Sequence, residues 1–305
     1  MIDRIQRHLL LDDSVLLDVD PRLESAVSSW IPLRSCRGGG GGGLAASRIF
    51  VHAAPLLGVE VPGTAPTLRI GSVGVWLHQE SSRAMLGATE RDCAGVVDLQ
   101  YRQATLVASA SDDAVPRLHT ALTLAASLLL GRLGRALVHA AAVVQPGGRA
   151  WLLTCKRGNG AHTAFARLMM AGWPSLAVHH VVLREDDVRG SMVVEGLPER
   201  EGTTEPVPGW GSHVDAADLA GVLVLRSTPP QPTLLVRMPE IDLLSVLEPE
   251  SPWLRLDQAG VGGILRAMHG GLRLPAFELR QGLDTYAEPK RLAEVLEALP
   301  RNNTN

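Results

Sequence analysis

Aromatic residues are scarce: two Tyr, three Phe and six Trp among 305 residues. A surface that stacks nucleic-acid bases needs more rings than this. A surplus of positive charge is also missing. The 29 Lys and Arg stand against 32 Asp and Glu, a formal charge of -3, so nothing electrostatic points to nucleic acid. There are three cysteines, Cys36, Cys93 and Cys155, far apart and odd in number. They form no disulfide framework and no CxxC metal knuckle, which makes a reducing cytoplasm the expectation. Long apolar runs are absent as well. The longest, "ALTLAASLLLG" at 121–131, falls well short of the roughly 20 residues that span a bilayer, and it reads as a buried helix. The start, "MIDRIQRHLLLDDSV", lacks an apolar core of secretory-signal length. The chain is therefore expected to have no transmembrane segment, with peripheral membrane contact left open.

What is present divides the chain. The apolar fraction of 46% supports a sizeable core in one large domain or two ordinary ones. Six glycines run from Gly38 to Gly43, and such a tract loses too much backbone entropy to order unaided. "RIFVHAA", "TLRIGSVGVWLHQ" and "GVVDLQYRQATLVAS" are rich in Val, Ile, Leu and Thr and are punctuated by Gly, Pro and Asp. They read as short strands. Residues 1–116 are thus expected to form a β-rich domain with a flexible loop at 38–43. Asp112 and Asp113 open a helix of apolar residues at helical spacing, expected over about 114–133. Counted as 117–134, this segment links the domain to a C-terminal α/β half at 135–305. That half reads as the strand "ALVHAAAVV", a tight turn "QPGGRA", the strand "AWLLTC", a glycine loop, a helix from about His162 to Ala171, and further strands and helices.

The loop carries the chemical question. "LLTCKRGNGAHT" has the strand, turn and helix of a phosphate-binding loop, G-x-x-x-x-G-K-[ST]. Cys155 stands at the first Gly, Ala161 at the Lys and His162 at the Ser or Thr. Around it lie "LVHAAAVVQPGGRAWLLT", "CKRGNGAHTAFARLMMAGW", "SLAVHHVVLR", "VVEGLP" and "LPAFELRQGLDTYAEPKRLAEVL". In this order, over about 135–300, these segments resemble the HPr kinase/phosphorylase family and its HprK-like relatives. Those proteins share the phosphoenolpyruvate-carboxykinase type of P-loop fold. The resemblance implies an α/β (α+β overall) chain whose C-terminal half is that P-loop domain.

It also implies a site. Lys156, Arg157, Gly158, Asn159, Gly160 and Thr163 would face phosphates, with His139 beside the loop. Gly158 and Gly160 keep the required curve available, and the helix start adds positive potential. The Lys that neutralises β/γ-phosphate charge is replaced by Ala161. The Mg²⁺-holding hydroxyl is replaced by His162, and Mg²⁺ prefers oxygen. Where the family places an acidic pair, "AVHH" supplies Val178, His179 and His180. Either histidine could accept a proton, but imidazole replaces a carboxylate poorly as an Mg²⁺ ligand. Glu185, Asp186 and Asp187 lie further along, in an expected solvated turn. Cation, hydroxyl and carboxylate are missing together, and such contacts supply several powers of ten in phosphoryl transfer.

Three readings follow. The first is a catalytically impaired kinase homologue, without ATP/Mg²⁺ or binding it weakly, that acts as an accessory protein for a peptide or protein partner. The second is an active Ser kinase, with Lys156 as the replacement cation, Thr163 or the acidic run helping with Mg²⁺, and His179 or His180 as base. The third is a Zn²⁺ site built from Cys155, His162 and neighbouring histidines, although adjacent His179 and His180 on one strand would point to opposite faces. The resemblance further implies a homo-oligomer. Each feature also has a plain reading. His139 would be a satisfied buried histidine, Lys156 and Arg157 a solvated loop, Trp173, Trp210 and Trp253 packing anchors, and Glu195, Glu199, Arg200 and Glu201 a surface charge cluster.

Overall fold

In the computed structural model the described residues are 6–10, 15–30, 34–35, 47–54, 62–78, 82–155, 160–186, 188–196, 214–227, 231–238, 243–256 and 274–297. The glycine tract, Cys36, Trp210 and the 199–201 charge cluster fall outside them. The fold is mixed α/β. The described residues form two compact units, one mainly of those up to 136 and one mainly of those from 137 on, with residues 252–256 belonging to the first.

The first unit contains a nine-stranded sheet. Its strands are β1 (Gln6–Leu10), β2 (Val15–Val19), β3 (Arg34–Ser35), β4 (Ser47–Ala53), β5 (Leu68–Ile70), β6 (Val73–His78), β7 (Arg83–Ala88), β8 (Cys93–Asp98) and β9 (Gln103–Ala108). They run in the order β3-β1-β2-β4-β9-β8-β7-β6-β5. Strands β5 to β9 form an antiparallel meander, and β4 lies parallel to both β2 and β9. In β4, Ser47, Ile49, Val51 and Ala53 are buried at every second position, the period of a strand with one face on a core. Asp98 shapes the β8–β9 turn by accepting from the backbone N–H groups of Gln100 and Tyr101 at 3.1 and 3.0 Å. Strand β7, "RAMLGA", gave little sequence signal because it has no β-branched residue.

Helix α1 (Glu24–Trp30) packs against α2 (Val115–Gly131), and α2 in turn packs on β4, β6, β7, β8 and β9. The segment expected to link two halves is therefore a core helix of the first unit. With the preceding turn, Asp112–Gly131 is long and apolar enough to cross a membrane, but 72% of its apolar 18-residue window is buried inside the fold. A helix apolar all round belongs in such a core.

The second unit holds the other sheet. Its strands are β10 (Arg135–His139), β11 (Ala141–Val144), β12 (Arg149–Thr154), β13 (Ser175–Ala177), β14 (His180–Asp186), β15 (Ser191–Gly196), β16 (Ala216–Ser227), β17 (Leu234–Arg237) and β18 (Ala276–Gln281). The order is β10-β14-β15-β16-β12-β11-β13, with β18 also on β16 and β17 on β18. The expected single strand "ALVHAAAVV" is two strands. The chain breaks at Ala140, so β10 pairs with β14 while β11 pairs with β12 and β13. One straight strand could not reach both sets of partners. Gly147 and Gly148, at φ 119° and 86°, close the β11–β12 hairpin.

Among the described residues the unit's helices are α3 (Ala161–Met170), α4 (Leu243–Leu247), α5 (Asp284–Ala287) and α6 (Pro289–Glu297). Phe165 and Leu168 of α3 join Leu292 and Leu296 of α6, Trp151 of β12, Leu223 of β16 and Phe277 of β18 in one core. The rings of Trp151 and Phe277 meet edge to face at 5.9 Å. The Trp151 indole N–H donates to Gln145 Oε1 at 3.0 Å, which satisfies its one polar atom. Trp173 and Trp253 are buried packing residues, as their plain reading held.

Gly196 ends β15 against the backbone of β13. A Cβ there would lie 2.0 Å from the carbonyl oxygen of Leu176. Gly196→Ala is expected to lower unfolding free energy by about 2 kcal/mol or more, since a backbone clash forces strands apart. Gly63→Ala, with nothing within 4 Å of the added methyl, is expected to be near neutral. Urea denaturation of both variants checks this contrast.

Candidate functional site

Strand β12 runs parallel to β16 and ends at Thr154, and α3 begins at Ala161. The strand–loop–helix unit expected from the sequence is therefore present. Lys156, Arg157, Gly158 and Asn159 lie outside the described residues. Gly160 is the N-cap, in the left-handed region at φ 87° and ψ 24°, and no side chain caps the helix. A Cβ is disfavoured in that conformation. The first turn of α3 carries Ala161, His162 and Thr163, with no acidic residue; His162 and Thr163 are exposed. Its backbone donors and dipole favour an anion, but this turn offers neither Lys nor Arg to match a triphosphate.

Four histidines gather in this unit. His162 Nε2 and His179 Nδ1 are 3.0 Å apart, with ring centroids at 4.6 Å. One ring must donate and the other accept, which holds at most one proton between the two nitrogens. The His139 ring lies 6.4 Å from His179 and 5.1 Å from His180, the latter edge to face. The expectation that His179 and His180 point to opposite faces fails. His179 sits in a bend before β14 begins at His180, so strand alternation does not apply and both rings approach His139. His139 is half-buried, and its backbone N–H donates to the Ser251 hydroxyl at 2.8 Å. Neither that hydroxyl contact nor the meeting of His139 with the pair 40 residues on had a local sequence signal.

Burial, then the neighbouring His139 and His179 rings, pull the His180 pKa down to about 3. His179 is lowered by burial and by His162. A proton added to His179 or His180 would meet a neighbouring imidazole, which favours the neutral form of each. A histidine titrating near 3 is a weak base at neutral pH. That weakens the role assigned to His180 in an active kinase.

The remaining expected groups are elsewhere. Glu185 and Asp186 are at the far end of β14, roughly 16–20 Å along the strand from His180 at ~3.3 Å per residue. Asp186 there caps the following turn, accepting from Val188 N–H at 3.0 Å. Asp187 is outside the described residues. Cys155 is half-buried and packs against the hydrophobic core. Among the described residues no three His, Cys, Asp or Glu side chains are placed to hold a metal ion. The Cys155–His162 ligand set thus gains no support from geometry. Glu195, read as part of a surface cluster, is instead buried and paired with Arg184 on the neighbouring strand. Cys93 is also buried, its thiol pushed up to about 12, chiefly by desolvation, and such a thiol is unreactive.

No protein-family model matches the sequence, and no curated protein matches it. Among solved structures, the Hpr(Ser) kinase/phosphatase from Coxiella burnetii is similar over 53% of this chain and 88% of its own, at 11% identity and a TM-score of 0.34. This is a distant structural likeness.

The histidine cluster has a pH signature. The His180 pKa is lower folded than unfolded, so the unfolded chain binds the extra proton first. Its contribution to stability is present above about pH 6.5 and is lost as pH falls towards 3, with a slope of up to ~1.4 kcal/mol per pH unit. His180→Gln is expected to flatten this slope in denaturation series between pH 7 and 4. An NMR titration of the wild type should show the His180 ring still neutral at pH 5.

Proposed function

We propose that the chain is a catalytically impaired member of the P-loop kinase class that serves as a binding or accessory protein for a peptide or protein. One observation carries the reading. At the start of α3, where phosphate charge and Mg²⁺ would need a cation and an oxygen ligand, stand Ala161 and the paired imidazoles of His162 and His179. Imidazoles replace neither the missing lysine nor the oxygen ligands that Mg²⁺ prefers. The carboxylates of β14 are too far along the strand to substitute.

The partner half of the proposal draws on β17. Among the described residues this strand pairs only with β18, and Leu234 and Val236, two positions apart, are exposed on it. An edge strand with apolar side chains on one face accepts an extended peptide by strand addition.

Calorimetry of the full chain with ATP or ADP and Mg²⁺ tests the first half. The expected outcome is no Mg²⁺-dependent affinity tighter than about 1 mM, with Ala161→Lys/His162→Ser introducing one. Tight Mg²⁺-dependent ATP binding that Lys156→Ala abolishes would overturn the reading in favour of an active kinase. For the second half, extended apolar peptides selected on an array should lose binding to Leu234→Asp/Val236→Asp. Retention by that double variant would remove β17 as the partner edge.

A further inference from the structure

The imidazole pair at the start of α3 has a chelating geometry that an accessory role leaves unused. His162 Nε2 and His179 Nδ1 are 3.0 Å apart, and the ring planes are inclined at 59°. Both residues are exposed. Their backbones are held by separate elements. His162 lies in the first turn of α3, which Phe165 and Leu168 fix on the core, and His179 immediately precedes β14, which is paired with β15. The two nitrogens are therefore set by the fold rather than by two free side chains.

Each nitrogen is the other's partner, and one shared proton joins them. A metal ion can take that proton's place. At a metal–nitrogen distance of ~2.05 Å, two donors at a right angle are about 2.9 Å apart, and two at the tetrahedral angle about 3.3 Å. The observed 3.0 Å lies between these, nearer the right angle, so an ion enters with little movement of either ring. Both nitrogens must be bare to bind it. The ring that now donates passes its proton to its own other nitrogen, which leaves His162 protonated at Nδ1 and His179 at Nε2, and the pair stays neutral. Among the described residues no third His, Cys, Asp or Glu completes a metal cluster, so the ion's other positions go to water. Imidazole suits copper, nickel and zinc, whereas Mg²⁺ prefers oxygen. A near-right-angled pair matches tetragonal Cu²⁺ or Ni²⁺ better than tetrahedral Zn²⁺.

We propose that His162 Nε2 and His179 Nδ1 chelate one divalent transition-metal ion of tetragonal preference, Cu²⁺ or Ni²⁺, with water at its remaining positions. The proposal rests on the reading that this turn does not hold Mg²⁺ and a triphosphate, and it names what the same donors take instead. The ion ties the first turn of α3 to the bend before β14, two segments 17 residues apart. Unfolding separates those segments, so the ion favours the folded chain.

The test titrates the full chain, without a histidine tag and without nucleotide, with Cu²⁺, Ni²⁺, Zn²⁺ and Mg²⁺, by calorimetry and by melting temperature. Cu²⁺ and Ni²⁺ are each expected to fill one site per chain that His162→Gln and His179→Gln weaken at least about tenfold, since losing a ligand costs no less than losing a second-sphere partner. Ni²⁺ should raise the melting temperature of the wild type and of neither variant. Electron paramagnetic resonance of the Cu²⁺ form should show a tetragonal ion with two nitrogen donors, and one fewer in each variant. His52→Gln, at an exposed histidine of the first unit, should change none of these. Far-UV circular dichroism checks that each variant is folded. Folded His162→Gln and His179→Gln proteins that bind like the wild type would overturn the proposal, as would Cu²⁺ and Ni²⁺ binding no tighter than Mg²⁺, or Zn²⁺ binding tighter than both. Because nucleotide is absent throughout, failure here is separate from failure of the reading for ATP and Mg²⁺.

Discussion

Hydrogen bonding in the second unit converges on β16. At Asp218 this strand is flanked by β12 on one edge and β15 on the other; from Val222 to Val224 it is flanked by β12 and β18. β15 and β18 therefore share one edge, end to end, along a strand of 12 residues that extends about 40 Å. Residues 219–223 are continuously buried, as a strand covered on both faces must be. Gly221 lies at the crowded centre: a Cβ there would come within 2.4 Å of the Pro275 carbonyl oxygen and 2.6 Å of the Trp151 ring. The absence of a side chain lets Trp151 cross the sheet and reach Phe277. The close approach of β12 to β16 at this point depends on this contact.

Because β12 is fixed on β16 and α3 on the core through Phe165 and Leu168, the start of α3 is held in place whatever its first residues are. Starting there, the side chains form an imidazole chain from His162 through His179 and His139 to His180. Its two lowered pKa values have one physical origin: partial removal from water, reinforced by neighbours that would carry the same charge.

Much of the architecture was legible in the sequence because local pattern determined it. Composition marked β4 within "RIFVHAA", and the apolar strand followed by a glycine turn and a helix located β12 and α3, whereas "TLRIGSVGVWLHQ" and "GVVDLQYRQATLVAS", read as single segments, each hold parts of two strands. The split at Ala140 was not legible: from Ala136 to Val144 the run is apolar except for His139, with no Gly or Pro at the break, and only the partners β14 and β12 divide it. The same cause hid the His139 contacts. Reading "VHH" as continuous strand assigned His179 and His180 to opposite faces, whereas a bend at Val178 and His179 turns both rings towards His139. Glu195 looked like part of a solvated run, but its burial is set by Arg184 across the strand pair, a non-local match that composition cannot reveal.

A cavity in the first unit, lined in part by His78, Arg83, Arg132 and Arg255, is the extreme case of that limit. These residues belong to segments up to 177 residues apart, and each alone reads as an ordinary surface charge. Their meeting comes from the α2 core helix. Its burial against the meander places Leu128 and Arg132 in the lining, and its contact with the Pro252–Arg255 turn brings in Arg255. A linker helix exposed between two domains would have left those groups solvated and separate.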